Sequence, residues 1–206
     1  MEKLQQVWPE FIRYFISGTL ASLLLVIMPV LTMNPEMWSY FAGASGIVNI
    51  VLVILVMGFL VDTLKLYQIS PFYKIRQQQF LIKFSGVLGV NSSEASTWFS
   101  VVSDTARIHG NTYLARKQSE WIMANHSAKI LYIAFVLWLM IGVHFTVNNS
   151  LSHQIWAFTL GGISIVTGIR LHGVAHAEWK KSSKLFLLYA IKNKSQIASI
   201  FEERQI

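Results

Sequence analysis

The stretch RLHGVAHAEWKK, from Arg170 to Lys181, places two histidines four residues apart. On a helix, His172 and His176 share one face, where two imidazoles can hold a metal ion. A zinc site needs further ligands, and Glu178 lies on a different face of the same helix. We therefore favour a pair of histidines where a membrane helix leaves the bilayer, and expect no metal and no cofactor. A metal shared between subunits and a pH response are the alternatives.

A second possible chemistry is that of a serine nucleophile. The letters GASG, Gly43 to Gly46, resemble the GxSG motif of rhomboid-type intramembrane proteases, with Ser45 as the serine. His144 lies near the outer end of another apolar segment, at a comparable depth, so a dyad can be constructed. Rhomboids have at least six spans and further polar motifs that this chain lacks. Small residues at helix crossings also explain GASG without chemistry, and we expect a protein that is not an enzyme.

Polar residues inside apolar segments are functional candidates by default. Asp62 lies at the inner end of the second apolar segment, and Lys65 follows three residues later. The favoured interpretation is a rim ion pair of Asp62 with Lys65, or a salt bridge to a neighbouring helix, where Arg170 lies at a similar depth; a gating or ion-path role is the alternative. Asn49 lies deep in the same segment and must find a hydrogen-bond partner, within the chain or in another subunit.

These residues belong to a chain with too little charge for a soluble protein. It has 206 residues, of which 53% are hydrophobic and 13% charged, against about 25% charged in soluble domains. The apolar residues concentrate in Ile16–Leu31, Ala42–Val61, Ile130–Val147 and Ile155–Ile169. Each approaches the roughly 20 residues that cross a bilayer as a helix. The sequence predicts an all-α polytopic membrane protein with four transmembrane helices.

The basic residues predict the orientation. All 17 lysines and arginines lie before the first apolar segment, between the second and third, or from Arg170 onward. The loops MNPEMWSY and NNSLSHQ have none. By the positive-inside rule, both termini and the central insert are cytoplasmic. This topology explains the net charge of +7 without nucleic acid.

The chain divides by composition into four parts. These are residues 1–67 with the first two transmembrane helices, 68–128 as a cytoplasmic helical segment, 129–172 with the last two transmembrane helices, and 173–206 as a basic helical tail. In the insert, Pro71 suits the first turn of a helix that ends near Gly86 and Gly89. A second helix runs to Gly110, and the next residues continue into the third membrane helix without a break. We expect the fourth membrane helix to project into the cytoplasm.

Small residues recur in the apolar segments, and their spacing lets helix backbones approach closely. They serve packing within the chain or self-association, and the candidates are Gly18, Ser22, Gly43, Gly46, Gly161, Gly162, Ser164 and Gly168. For docking a cytosolic protein, the candidates in the insert are Phe72, Arg76, Phe80, Trp98 and Phe99. For anionic lipid headgroups, each lysine adding about 1 kcal/mol near the surface, they are Lys180, Lys181 and Lys184.

The outline of four spans, both termini inside and a helical insert over 67–128 resembles the membrane subunit of the two-component Kiwa anti-phage defence system. The resemblance covers the whole chain and is architectural, so it assigns no functional residue. It implies a homo-oligomer in the bacterial inner membrane that detects phage-induced disturbance and holds a cytosolic DNA-binding effector.

Three functions follow as hypotheses. The leading one is a membrane scaffold or sensor that docks a soluble protein, since the outer loops are too short for a folded receptor domain. An oligomeric pore or ion channel that depends on Asn49 or Asp62 is the second. An intramembrane serine protease that uses Ser45 and His144 is the third.

Overall fold

The computed structural model describes residues 2–37, 39, 44–65, 68, 71–108, 112–148 and 150–203. This part of the chain is helical almost throughout and contains no strand, which confirms the predicted all-α class. In chain order the elements are α1 (Glu2–Ser22), a π-helical turn (Leu23–Ile27), α2 (Met28–Met33), α3 (Ala44–Thr63), α4 (Pro71–Leu88), α5 (Ala95–Ile108), α6 (Thr112–Val147), α7 (Leu151–Lys192) and α8 (Lys194–Glu203).

Four helical stretches in the described residues are long and apolar enough to span a membrane. They are Phe11–Met33, Ser45–Thr63, Arg116–Val147 and Leu151–Lys192. A helix satisfies its own backbone hydrogen bonds, which is what a segment in hydrocarbon requires. The four stretches confirm the prediction of a polytopic membrane protein with four membrane helices.

The first membrane stretch contains a feature that its sequence pattern did not predict. The π-helical turn Leu23–Ile27 directly precedes α2, in which Pro29 occupies the first turn. A proline inside a helix lacks an N–H and clashes with the carbonyl four residues earlier. The wider π turn relieves this conflict, so helical structure continues through the proline.

The two longest helices extend well past their apolar segments, as predicted. α6 has 36 residues and α7 has 42. At 1.5 Å per residue α7 is about 63 Å long, whereas the hydrocarbon core is about 30 Å thick. The second half of α7, which carries Lys180, Lys181 and Lys184, therefore belongs outside the hydrocarbon.

The described residues cluster into two compact units. One, here called the membrane unit, comprises the described residues of 11–67 and 122–175. The other, here called the helical unit, comprises those of 1–10, 68–121 and 176–206. Insert and tail thus fold into one unit, although the sequence analysis treated them as separate parts.

Within the membrane unit, α6 and α7 pack antiparallel. Gly168 lies against the ring of Tyr132, Gly161 against Trp138, and Gly142 against the ring of Phe158. Residue numbers fall along α6 as they rise along α7, as expected for two helices joined by a short loop. Small residues on one helix thus receive aromatic rings from the other.

An aromatic core holds the helical unit together. Its largest fully buried side chains include Phe84 and Phe186, from α4 and α7. Phe99 of α5 packs on Phe186 with 4.5 Å between ring centroids. Trp98 of the same helix stacks on Phe201 of α8 at 4.6 Å. Aromatic burial of this kind supplies most of the driving force for folding of a small helical unit.

The end of α4 is fixed by a glycine. Gly89 has φ of +66°, a conformation that side chains with a Cβ adopt only at a cost. The next N–H, of Val90, donates to the carbonyl of Ser85 at 3.1 Å. This is the hydrogen bond of a Schellman cap, so the predicted stop at Gly89 is confirmed.

Candidate functional site

A half-buried ion pair joins the first two membrane helices. Arg13 of α1 places Nη2 3.1 Å from Oδ1 of Asp62 on α3. The hydroxyl of Tyr14 donates to Oδ2 of the same carboxylate at 2.9 Å, and the guanidinium of Arg13 lies over the Tyr14 ring. The side chains of Arg13 and Asp62 keep 13% and 24% of their exposed area, so both charges are largely shielded from solvent.

These partners correct the sequence-based expectation for Asp62. Asp62 does form a salt bridge to a neighbouring helix, but its partners are Arg13 and Tyr14 and not Lys65 or Arg170. The physical reason is the antiparallel packing of α1 and α3, which brings the start of the first membrane stretch, at Phe11, close to the end of α3. Lys65 lies past the end of α3 with φ of +45°, and both Lys65 and Arg170 are exposed.

Two further polar side chains lie in the membrane unit. Asn49 is half-buried on α3, and its proposed gating role stays a prediction. His126 of α6 is fully buried and within electrostatic reach of both Asp62 and Arg13. His126 was not predicted from the sequence, because a histidine in a partly polar helix segment gives no sign of its depth.

The helices α1 and α3 approach each other closely at Gly18 and Gly58. A Cβ on Gly18 would overlap the carbonyl oxygen of Ile54 and would lie 2.9 Å from the Cα of Gly58. A Cβ on Gly58 would lie 2.5 Å from the carbonyl oxygen of Tyr14. Backbone contact of this kind is possible only between residues without side chains. Gly18 was predicted as a packing residue, whereas Gly58 was not.

The other small residues that were predicted for helix packing or self-association differ in how exposed they are. Ser22, Gly46, Gly161, Ser164 and Gly168 are buried within the chain. Gly162 differs, since it is exposed and a Cβ there would meet no atom within 4 Å. Gly43 lies outside the described residues. Among the described residues of this set, Gly162 on the exposed surface of α7 is therefore the one open to contact with another molecule.

The residues of the insert that were predicted to dock a partner also differ in burial. Phe80 and Trp98 are buried and Phe99 is half-buried in the core of the helical unit, which corrects the expectation that these three face a partner. The reason is that the helical insert packs its apolar stripe on α7 and α8. Arg76 is half-buried and lines a groove. The side chain of Phe72 lies outside the described residues.

Exposed apolar residues on α4 are better placed for contact with another molecule. Ile75 and Ile82 retain 51% and 67% of their exposed area. They are seven residues apart and so lie on one face of the helix. Gln78 and Gln79, which lie between them in the sequence, are also exposed. The core face of the same helix carries Phe84. This outer face of α4 was not distinguished from the core face by the sequence pattern.

The predicted lipid-contacting lysines of α7 have different environments. Lys180 and Lys184 line the same groove as Arg76. Lys181 instead pairs with Glu178, with 2.6 Å between Nζ and Oε1. Glu178 also lies 3.4 Å from Nζ of Lys117 on α6, so this carboxylate links two helices within the helical unit.

His172 and His176 were considered from the sequence as metal ligands. His172 lies beside the ring of Tyr132, and His176 lines the groove. Within the described residues, no group of three or more His, Cys, Asp or Glu side chains is placed to hold a metal ion.

His144 hydrogen bonds through Nε2 to Asn148 at 3.0 Å, and Ser45 is exposed at the start of α3. The protease hypothesis stays untested.

Comparison with known proteins adds no assignment. No family model matches this chain, and neither the curated proteins nor the solved structures include a significant match to it. The function is therefore argued from its own residues.

Proposed function

We propose that this protein is a non-enzymatic membrane scaffold or sensor that self-associates in the bilayer and docks a soluble protein on its helical unit. The observation that supports it best is the division of α4 into two faces. The face with Phe84 is buried in the aromatic core, while Ile75 and Ile82 stay exposed on the other. A unit with a complete core needs no exposed isoleucines for its own folding, and exposed apolar surface favours a partner.

The orientation belongs to the same proposal. Because every lysine and arginine lies on one side of the four membrane helices, both termini and the helical unit face the cytoplasm of a bacterium, with the chain in the inner membrane. The chain has no cysteine, so single cysteines can be labelled without background. We expect Ser39→Cys to react with an impermeant maleimide on intact spheroplasts, and Ser195→Cys to react only after permeabilisation. The reverse pattern would refute the orientation.

Docking is tested by replacing the outer face of α4. We expect I75S/I82S to lose a protein that co-purifies with the tagged wild-type chain from its native cells, as measured by quantitative mass spectrometry. The matched control is L188S/I191S, which replaces two exposed apolar residues of α7 in the same unit. A co-purifying protein retained at wild-type level by I75S/I82S would contradict docking on α4.

Self-association is proposed for the exposed face of α7 at Gly162. A Cβ there meets no neighbouring atom within 4 Å, so the position is open and a side chain added to it can project toward a second molecule. We expect Gly162→Leu to lower the fraction of oligomer in lipid nanodiscs, measured by native mass spectrometry. Gly173→Leu is the control, because a Cβ at Gly173 also meets nothing within 4 Å. An unchanged oligomer in Gly162→Leu would place the interface elsewhere.

The defence role is the broadest part of the proposal, and it rests on the architectural resemblance to the Kiwa membrane subunit. The pore alternative has less support, because Asp62, one of the two residues on which it could depend, is paired with Arg13. Loss of phage protection on deletion of the chain from a host that carries it tests the defence role. Unchanged phage titres after deletion would rule it out.

A further inference from the structure

A groove of about 500 Å³ lies within the helical unit, between α4 and the second half of α7. On α4 it is lined by Arg76 and Lys83, and on α7 by Lys180 and Lys184. Residues 76 and 83 are seven apart and residues 180 and 184 four apart, so each pair lies on one face of its helix. Two helix faces thus bring four cationic side chains to one cavity.

The described residues that line the groove include no carboxylate. The carboxylate of Glu178 is held by Lys181 at 2.6 Å and Lys117 at 3.4 Å. Lys83, Lys180 and Lys184 are exposed. Like charges around one cavity repel each other, which lowers stability unless an anion is bound between them.

The floor of the groove is apolar. Phe80 and Leu187 are buried beneath it, and Trp179 forms part of the wall. Gln79 and Ser183 add neutral hydrogen-bonding groups to the lining. A cavity of this size, with apolar surface and a few converging polar groups, is typical of a small-ligand site.

We propose that this groove binds a phosphate-bearing anion whose non-phosphate part rests on the apolar floor. A phosphate monoester carries about 1.5 to 2 negative charges at pH 7 and has three acceptor oxygens, whereas a carboxylate carries a single charge. Four cations are matched better by phosphate, and the guanidinium of Arg76 suits its paired oxygens. The inference goes beyond the proposed function, because it requires neither a docked protein nor an oligomer.

Two sources share this chemistry: the monoester headgroup of phosphatidic acid and a soluble phosphorylated compound. They are distinguished by presenting each one alone to the full-length chain. In the first arm the chain is placed in nanodiscs of neutral phosphatidylcholine and titrated with pyrophosphate or ATP by calorimetry. In the second arm phosphatidic acid is added to the phosphatidylcholine nanodiscs, and bound lipid is counted by native mass spectrometry.

The test variant is K83Q/K180Q, which removes one charge from each wall of the groove. The matched control is K74Q/K192Q, which removes one exposed charge from each of the same two helices outside the groove lining. At near-physiological salt we expect K83Q/K180Q to bind whichever probe the wild-type chain binds at least about tenfold more weakly. This is a loss of about 1.4 kcal/mol in binding free energy. The control should bind within about twofold of wild type, because exposed charges outside the groove act weakly through screening. The charge-retaining K83R/K180R should bind like wild type.

Folding is checked for every variant by circular dichroism and by the midpoint of thermal unfolding. If K83Q/K180Q does not fold, Lys184→Gln takes its place with Lys192→Gln as its control. A selective loss in the groove variant supports the site, and the arm in which it appears identifies the source. Equal losses in groove and control variants, or no binding of any probe to wild type, would overturn the proposal.

Discussion

Arg13 and Asp62 form an ion pair between α1 and α3, with 3.1 Å between Nη2 and Oδ1. Tyr14, the next residue along α1, donates a hydrogen bond to the second carboxylate oxygen at 2.9 Å. Both contacts join residues that are almost 50 positions apart. Together with the contact between Gly18 and Gly58, they fix how the first two membrane helices align.

The first prediction concerns removal of the carboxylate. Asp62→Asn leaves the guanidinium of Arg13 largely buried without its counter-charge. Breaking a fully buried pair costs about 3 to 5 kcal/mol, and exposed pairs contribute roughly 0 to 1 kcal/mol. For this partly shielded pair we expect a loss of about 2 kcal/mol in the free energy of unfolding, measured in detergent micelles.

Lys65→Gln is the control for this change, because Lys65 is exposed past the end of α3. Its free energy of unfolding should equal that of wild type. Equal stability of Asp62→Asn and wild type would show that the pair does not hold the helices together. A loss in Lys65→Gln as large as that in Asp62→Asn would support the partner expected from sequence.

The second prediction concerns the crossing of α1 and α3. Gly58→Ala places a Cβ 2.5 Å from the carbonyl oxygen of Tyr14, so the two backbones must separate. Overpacking typically costs about 1 to 3 kcal/mol, and we expect the upper end because the obstacle is backbone. Gly162→Ala should raise stability by roughly 0.5 kcal/mol, since its Cβ meets open space inside α7 and alanine is the better helix former. Thermal unfolding in nanodiscs measures both, and equal midpoints would contradict the close crossing.

The third prediction compares two glycines of the same helical end. Gly89→Ala should destabilise the helical unit by about 1 kcal/mol, because alanine is strained in the left-handed region. Gly86→Ala should stabilise it by roughly 0.5 kcal/mol, because alanine is the better helix former and Gly86 lies inside α4 with open space around it. Chemical unfolding followed by tryptophan fluorescence reports both changes. Shifts of the same sign would contradict the cap at Gly89.

The fourth prediction concerns the stacking of Trp98 on Phe201, at 4.6 Å between ring centroids. Trp98→Ala should lower the free energy of unfolding by about 3 to 5 kcal/mol, since it leaves a cavity in the aromatic core. A double-mutant cycle with Phe201→Ala should give a coupling energy of about 1 kcal/mol. Ile82→Ser, on the exposed face of α4, should leave stability unchanged. A stable Trp98→Ala would mean that this residue faces a partner, as the sequence analysis first expected.

The amino-acid sequence alone predicted the helical class, the four membrane helices and the continuation of α6 and α7 beyond the apolar segments. These are local properties, because the length of an apolar run and the absence of a helix breaker are read from neighbouring residues. The start of α4 at Pro71 and its end at Gly89 are local in the same sense, since each depends on the backbone preference of one residue.

Pairings between distant residues were decided only by the tertiary structure. Asp62 has a nearby lysine in sequence, yet antiparallel packing supplies Arg13 instead. Trp98 belongs to an apolar stripe that suits a core or a docking face equally, and only the fold shows that it is buried and stacked on Phe201 of α8. The cationic groove needs Lys83 and Lys180 to face each other from helices nearly a hundred residues apart. Burial and charge proximity depend on which helix faces pack together, and that is a property of the whole fold.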